Sequence, residues 1–273
     1  MIENDKVYNM DCLDIFKEIP SESIDLVITD CPYHIVAGGV TVVERGDECK
    51  GMLNKRKSGV VVQGNDNDFY LCGRSSKKWV KKNGSMPSAV KSGKMFENND
   101  IEFAEWLPEV YRVLKKGTHC YIMINSRNLK ELQTEAEKVG FVFQNLLVWD
   151  KSNMSGTPNK YYMQKCEFIL MLSKRPARNI NDMGTSNLLK CPNIIGKGED
   201  YHPTAKPVSL MEVLIRNSSN KGNIVLDPFC GGGSTLVAAR NLARHYIGFE
   251  IDEQYYNMTL HNLSLPQQKS LFD

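Results

Sequence analysis

The sequence predicts an α/β protein built on a mostly parallel β-sheet. Three features favour this class: short apolar runs rich in β-branched residues, helical periodicity between those runs, and a glycine-rich turn that joins a strand to a helix. With 41% apolar and 24% charged residues, the 273-residue chain has an ordinary globular composition. That composition excludes disordered, collagen-like and disulfide-miniprotein classes.

Six apolar runs have the length and composition of β-strands. The fourth run follows the third with no long helix between them, so we expect those two strands to pair antiparallel. The remaining runs alternate with helical segments, which favours parallel pairing. In chain order the six runs are residues 23–30, 119–125, 141–149, 166–172, 223–227 and 245–250.

Four segments have the apolar spacing of amphipathic helices. The first, residues 100–114, follows Asn98-Asn99-Asp100, which offers N-cap side chains, and the second ends at Gly140. The third opens with Pro207, a residue that suits the first turn of a helix. The second, third and fourth helical segments are predicted at residues 128–139, 207–217 and 234–243.

Two basic segments stand out although the net charge of the chain is only +2. Residues 44–97 carry twelve Lys/Arg against six Asp/Glu, and residues 151–206 carry nine against four. Residues 36–95 also contain nine glycines and no sustained periodicity. Such segments favour a surface that faces a polyanion, although solvated loops have the same composition.

Cysteine usage and hydropathy point to an intracellular protein. The eight cysteines form no C-x-x-C pair, which is typical of reduced thiols rather than of a disulfide framework or a zinc site. No apolar stretch approaches the roughly 18 residues of a membrane span. The polar, acidic first residues are not typical of a signal peptide, so we expect a cytoplasmic protein.

The segment Asp227-Pro-Phe-Cys-Gly-Gly-Gly-Ser-Thr235 lies between a predicted strand and a predicted helix. Its glycines let the backbone approach a ligand closely, and the helix start offers free N–H groups. The next strand ends at Glu250, where a carboxylate can accept both hydroxyls of a ribose. Leu236 replaces the last glycine of G-x-G-x-x-G, which argues against a nicotinamide or flavin enzyme.

A second motif, Asp30-Cys31-Pro32-Tyr33, ends the first predicted strand. The Asp30 carboxylate can accept a hydrogen bond from an exocyclic amine, and Pro32 directs the Cys31 carbonyl outward as a second acceptor. Tyr33 offers a flat face for stacking a base. Two acceptors and a ring fit a nucleobase that bears an NH2 group, although a simple turn after a strand would contain the same residues.

The chain resembles the amino-DNA methyltransferases of the β class. Asp30-Cys31-Pro32-Tyr33 is similar to their D-P-P-Y motif, Asp227–Thr235 to D-P-F-x-G-x-G, and His202–Pro207 to H-P-T-x-K-P. The catalytic motif precedes the cofactor motif, as in the β-class circular permutation. The resemblance implies a Rossmann-like S-adenosylmethionine-dependent methyltransferase fold, with a seven-stranded, mostly parallel sheet that contains one antiparallel strand.

The resemblance also implies the role of each site residue. Asp30, Cys31, Pro32 and Tyr33 would form the catalytic motif, with Cys31 in place of the usual proline. Glu250 would bind the ribose, Asp11 the adenine amine of the cofactor, and Lys206 its methionine carboxylate region. The implied residues that bind S-adenosylmethionine are Asp11, Lys206, Asp227, Phe229, Cys230, Gly231, Gly233, Ser234, Thr235 and Glu250.

The implied reaction is methyl transfer from S-adenosylmethionine to the N6 amine of a flipped adenine in DNA, with S-adenosylhomocysteine as the product of the cofactor and with no metal. Asp30 favours adenine over cytosine-N4. A cytosine-N4 enzyme, an RNA-directed amino-methyltransferase and a non-catalytic nucleic-acid binder are the alternatives. Double-stranded DNA is the expected partner, while a homodimer and a cognate restriction endonuclease stay open.

The domain prediction assigns the basic segments to DNA. One methyltransferase domain spans residues 1–273, residues 36–97 form an inserted basic region for target recognition, and residues 173–201 form a second DNA-contact loop. The lysine cluster predicted to contact DNA is Lys77, Lys78, Lys81 and Lys82.

Overall fold

The computed structural model describes residues 2–32, 60–63, 69–72, 101–152, 165–193 and 205–266. Its strands are β1 (Lys6–Tyr8), β2 (Ile24–Thr29), β3 (Val60–Gln63), β4 (Phe69–Cys72), β5 (Leu114–Ile124), β6 (Val142–Asp150), β7 (Cys166–Ser173), β8 (Leu188–Lys190), β9 (Ile224–Asp227) and β10 (His245–Phe249). Its helices are α1 (Cys12–Phe16), α2 (Phe103–Val113), α3 (Leu129–Val139), α4 (Val208–Ser218), α5 (Ser234–Asn241) and α6 (Glu253–Ser264).

The chain divides into two compact units, Met1–Tyr33 with Ile101–Asp273, and His34–Asp100. In the second unit β3 and β4 pair antiparallel, with Val60 opposite Cys72. The sequence did not predict these strands, because runs of four residues are too short to show a period. Residues 36–97 lie mostly outside the described residues, so their predicted role in target recognition stays a prediction.

The main sheet has eight strands in the order β1-β10-β9-β2-β5-β7-β6-β8. Strand β7 runs antiparallel to both of its neighbours, and the other adjacent pairs are parallel. The predicted antiparallel pair is therefore confirmed as β6 and β7. The sheet has one strand more than the seven expected. The additional strand, β8, lies within residues 173–201, where the sequence predicted a loop.

Alternate residues of the central strands pack on opposite faces of the sheet. Val27 of β2 joins the core beneath α1, α2 and α3, whereas Leu26 and Ile28 join the core beneath α4 and α5. Trp106 and Trp149 are fully buried, one in each core. This packing covers both faces of the central strands, so the ends of those strands are where a ligand can reach them.

The carboxyl ends of the parallel strands meet along one end of the sheet. Strands β2, β9 and β10 lead there directly into Asp30, the glycine-rich segment and Glu250. Because β7 is reversed, its beginning lies at this same end, which brings Glu167 into the region. The sequence missed this consequence, because it depends on where β7 inserts between β5 and β6.

Candidate active site

Four charged side chains from four different elements meet at this end of the sheet. Lys206, just before α4, donates from Nζ to Oδ2 of Asp30, and its Nζ lies 3.7 Å from Oε2 of Glu167. Lys151, just after β6, donates to the other carboxylate oxygen of Glu167. The site therefore has alternating charges in the order Asp30, Lys206, Glu167 and Lys151. Lys206 was predicted near the methionine carboxylate of the cofactor, and that role stays a prediction; in the structure its ammonium contacts the predicted catalytic carboxylate.

Asp30 has one carboxylate oxygen engaged and one without a partner. Oδ1 is buried and has no hydrogen-bond partner among the described residues, while Oδ2 receives Lys206. Burial raises the pKa of Asp30, and the Lys206 ammonium opposes that shift. An unsatisfied buried acceptor costs about 1–3 kcal/mol. The structure therefore holds an acceptor at the strand end that an incoming N–H donor can satisfy.

Cys31 turns its thiol inward. The side chain is buried, and Sγ lies 3.9 Å from the carbonyl oxygen of Met123. Burial raises the pKa of this thiol well above its usual range, so it stays protonated and is a poor nucleophile. Pro32 follows half-buried, and Tyr33 lies outside the described residues.

We expect Cys31→Ala to retain methyl transfer, because the reaction that the resemblance implies uses the Cys31 carbonyl and not its thiol. The substitution removes a small buried side chain, so a modest loss of stability, about 1 kcal/mol, is expected. Initial rates of methyl incorporation and a thermal melt would measure both. A folded but inactive Cys31→Ala would show that the thiol takes part in the reaction.

Asp227 supports the glycine-rich segment from inside the sheet. Its Oδ1 accepts hydrogen bonds from Oγ1 of Thr29 at 2.8 Å and from the backbone N–H of Phe229 at 3.2 Å. Burial raises its pKa to about 7, although hydrogen bonds from Thr235 and Thr29 oppose the shift. The carboxylate thus joins the ends of β2 and β9 and starts the turn.

The turn itself depends on two glycines with positive φ and on helix α6. Gly231 has φ 50°, and Gly233 has φ 80° immediately before α5 begins. From α6, Oγ1 of Thr259 donates to the Gly231 carbonyl at 2.6 Å, and Nδ2 of Asn262 donates to the Gly232 carbonyl at 2.9 Å. The sequence analysis missed Thr259 and Asn262, because no motif marks residues that act from a later helix.

Glu250 lies against this turn, and its predicted contact with a ribose stays a prediction. Its Oε2 accepts from the N–H of Gly231 at 2.9 Å, and Oε1 accepts from the N–H of Asp252 at 2.9 Å. Asn9, after β1, donates to the Glu250 carbonyl at 2.9 Å. Asp11 caps α1 by accepting from the N–H of Leu13 at 2.8 Å.

The remaining predicted cofactor residues belong to the same turn. Cys230 is buried and its N–H donates to the Phe249 carbonyl at 2.9 Å, while Phe229 packs edge-on against Trp106 at 5.2 Å. Ser234 and Thr235 open helix α5. Beside this turn stands the Glu250 carboxylate, so the arrangement fits a nucleoside that carries a charged tail.

The sequence predicted neither a metal site nor a membrane-spanning helix. In the ranges that the structure describes, no cluster of three His, Cys, Asp or Glu side chains could hold a metal ion. No helix within those ranges is long and apolar enough to cross a membrane. The lysine cluster Lys77, Lys78, Lys81 and Lys82 lies outside the described residues, so its predicted DNA contacts stay predictions.

Comparison with known proteins decides the family. The model of the N6/N4 methyltransferase family, described as DNA methylase, matches residues 24–261. The chain belongs to this family. The DNA methylase assignment confirms the predicted family.

Two relatives match this DNA methylase along nearly its whole length. The Type II methyltransferase M.HindIII of Haemophilus influenzae is 24% identical over 98% of both chains. The DNA adenine methyltransferase YhdJ of Escherichia coli K12 is 26% identical over 95% of this chain and 83% of its own.

Solved structures share the fold. The M1.HpyAVI–SAM complex has a TM-score of 0.61 at 22% identity, covering 94% of this chain and 99% of its own. The cytosine-N4-specific PvuII DNA methyltransferase has a TM-score of 0.64 at 16% identity, covering 99% and 89%. The predicted fold class is thus confirmed, and the predicted cofactor is the one bound in the M1.HpyAVI complex.

Proposed function

We propose that this DNA methylase transfers a methyl group from S-adenosylmethionine to the N6 amine of adenine in DNA. The observation that carries the proposal is the buried Oδ1 of Asp30, which has no hydrogen-bond partner among the described residues and lies at the same end of the sheet as the glycine turn and Glu250. An acceptor beside a nucleoside-binding turn fits a substrate that presents an amine.

Each part of the site has a distinct task in this proposal. When bound, S-adenosylmethionine supplies an electrophilic methyl group; Glu250 and the Gly231–Gly233 turn hold its nucleoside and tail. Asp30 and the Cys31 carbonyl accept hydrogen bonds from the target amine, and Tyr33 stacks on the base. These two acceptors orient the nitrogen lone pair, so that positioning supplies much of the rate. Extrusion of the base from the duplex costs a few kcal/mol.

Adenine is the proposed target for two reasons. An aspartate leads the D-x-P-Y motif, and YhdJ, a relative over nearly the whole chain, is named a DNA adenine methyltransferase. The PvuII enzyme of the same fold is cytosine-N4-specific, which makes cytosine-N4 the competing target.

The test uses unmethylated bacterial DNA, the purified chain and labelled S-adenosylmethionine, followed by mass analysis of the released nucleosides. We expect N6-methyladenine. N4-methylcytosine would overturn the proposed base, and label found only in a parallel RNA sample would overturn the proposed substrate. Tight binding of S-adenosylmethionine with no transfer to either nucleic acid would identify a non-catalytic binder.

DNA contacts are proposed for the inserted basic region, residues 36–97, and for the second loop, residues 173–201. We expect joint neutralisation of the lysine cluster to weaken DNA binding and flatten its salt dependence. Each lost phosphate contact makes the slope of log K against log[salt] less negative by roughly 0.9. Fluorescence anisotropy over a salt series would measure this for the variant in which glutamine replaces Lys77, Lys78, Lys81 and Lys82.

The matched control has glutamine in place of four exposed lysines of the unit that contains the main sheet. These are Lys6, Lys17, Lys130 and Lys138. S-adenosylmethionine binding is expected to stay unchanged in both variants. Unchanged DNA affinity together with a changed oligomer mass would show that the lysine cluster mediates assembly instead.

A further inference from the structure

Glu167 is one of two charged residues of the site, with Lys151, that no sequence motif identified. It lies one residue inside β7, directly opposite Trp149 of β6. Lys151 follows Trp149 by two residues and so projects from the same face of the sheet. This register explains why Lys151 reaches the Glu167 carboxylate.

The outer end of the charge row is anchored to the core. Nζ of Lys151 lies 4.9 Å from the centre of the Trp149 ring, a cation–π contact. Trp149 is buried and donates from Nε1 to the Cys191 carbonyl at 2.7 Å. The Lys151 side chain is only 13% exposed. Lys151 and Glu167 are thus held by packing and not only by their mutual attraction.

The inner end of the row places a buried ammonium between two carboxylates. The Lys206 side chain is 8% exposed, with Asp30 on one side and Glu167 on the other. Burial by itself lowers the pKa of Lys206, but the two carboxylates outweigh it and raise that pKa above its usual value. Burial likewise raises the pKa of Glu167, but Lys206 and Lys151 outweigh it and lower that pKa.

We propose that Glu167 and Lys151 are positioning residues for methyl transfer, which hold the Lys206 ammonium against Oδ2 of Asp30 so that Oδ1 stays ionised and free for the target amine. The inference rests on the proposed function of Asp30. It adds two residues that touch neither the base nor the cofactor and act through Lys206.

The proposal gives each positioning residue a different pH signature. The charged groups that bear on Asp30 are Lys206, Glu167, Lys151 and, across the sheet, Asp227. Glu167→Gln removes a carboxylate that raises the pKa of both Lys206 and Asp30. Each of these two groups then loses its proton at lower pH, so the alkaline and acid limbs of the rate profile both move down.

Lys151→Met has the opposite signature. It removes a cation that lowers the pKa of Asp30, so Asp30 is ionised only at higher pH. The acid limb of the rate profile therefore moves up. A side chain with a merely structural role would change the rate and leave both limbs in place.

The experiment measures single-turnover methyl transfer into unmethylated bacterial DNA, at saturating S-adenosylmethionine, across acidic to alkaline pH. We expect each variant to lose about tenfold in rate near neutrality. Glu167→Gln should move both limbs down and Lys151→Met should move the acid limb up, each by about one pH unit. S-adenosylmethionine affinity, measured by calorimetry, should not change. The control is Glu135→Gln, which removes the same charge from a surface ion pair with Lys138 on α3.

The outcomes separate the inference from the function on which it rests. If the unmodified chain transfers no methyl group to DNA, the proposed function fails and the inference with it. If the unmodified chain is active and both variants match Glu135→Gln, or lose rate with no limb displaced, only the inference is overturned. Thermal melts identify misfolding, and Lys151→Met still tests the inference if Glu167→Gln does not fold.

Discussion

Asp30→Ala is expected to lower the methyl-transfer rate by at least about a hundredfold, because it removes the preorganised acceptor for the target amine. S-adenosylmethionine binding should persist, since the residues proposed to bind it lie on the glycine turn and at Glu250. Single-turnover incorporation of labelled methyl groups into DNA measures the first effect, and calorimetric titration measures the second.

The Asp30 variant needs two companions. Removing the carboxylate takes away one partner of the buried Lys206 ammonium, so a thermal melt is required, and Asp30→Asn keeps the side-chain volume if the alanine variant unfolds. Asp14→Ala serves as the control, because Asp14 is an exposed carboxylate on α1 that pairs with Lys17 at 3.7 Å. A folded Asp30 variant that methylates near the unmodified rate would refute the assignment.

Gly233→Ala is expected to weaken S-adenosylmethionine binding by about tenfold or more, since the added methyl group displaces the turn. A Cβ at this position would lie 2.6 Å from Cγ2 of Thr259, which is fully buried, and the φ of 80° strains any L side chain by about 1 kcal/mol. Calorimetry gives the affinity and a denaturant titration gives the free energy of unfolding.

Gly222→Ala is the matched control for the glycine turn. Gly222 also has φ 80°, but a Cβ there would meet nothing within 4 Å. Both variants should therefore lose the backbone-strain contribution to stability, whereas Gly233→Ala alone should lose cofactor affinity. Equal affinities in the two variants would contradict the proposed role of the turn.

The two motifs that carry the chemistry were predictable because each is contiguous in the chain. Asp30 ends one apolar run, and Asp227 through Thr235 connects another to a helix, so local patterns alone indicated a carboxylate at a strand end and a ligand-binding turn. The antiparallel pairing of β6 and β7 was predictable too, since no long helix separates them.

The sequence by itself determined the α/β class, the motif order and the position of Asp30, the glycine turn and Glu250 along the chain, because these follow from periodicity and local backbone chemistry. Only the tertiary structure placed Lys206 on Asp30, brought Glu167 beside Lys206, and set Thr259 behind the turn. Those contacts join residues 176, 39 and 28 positions apart, respectively. Their formation depends on the order and direction of strands in the sheet, which no local pattern encodes.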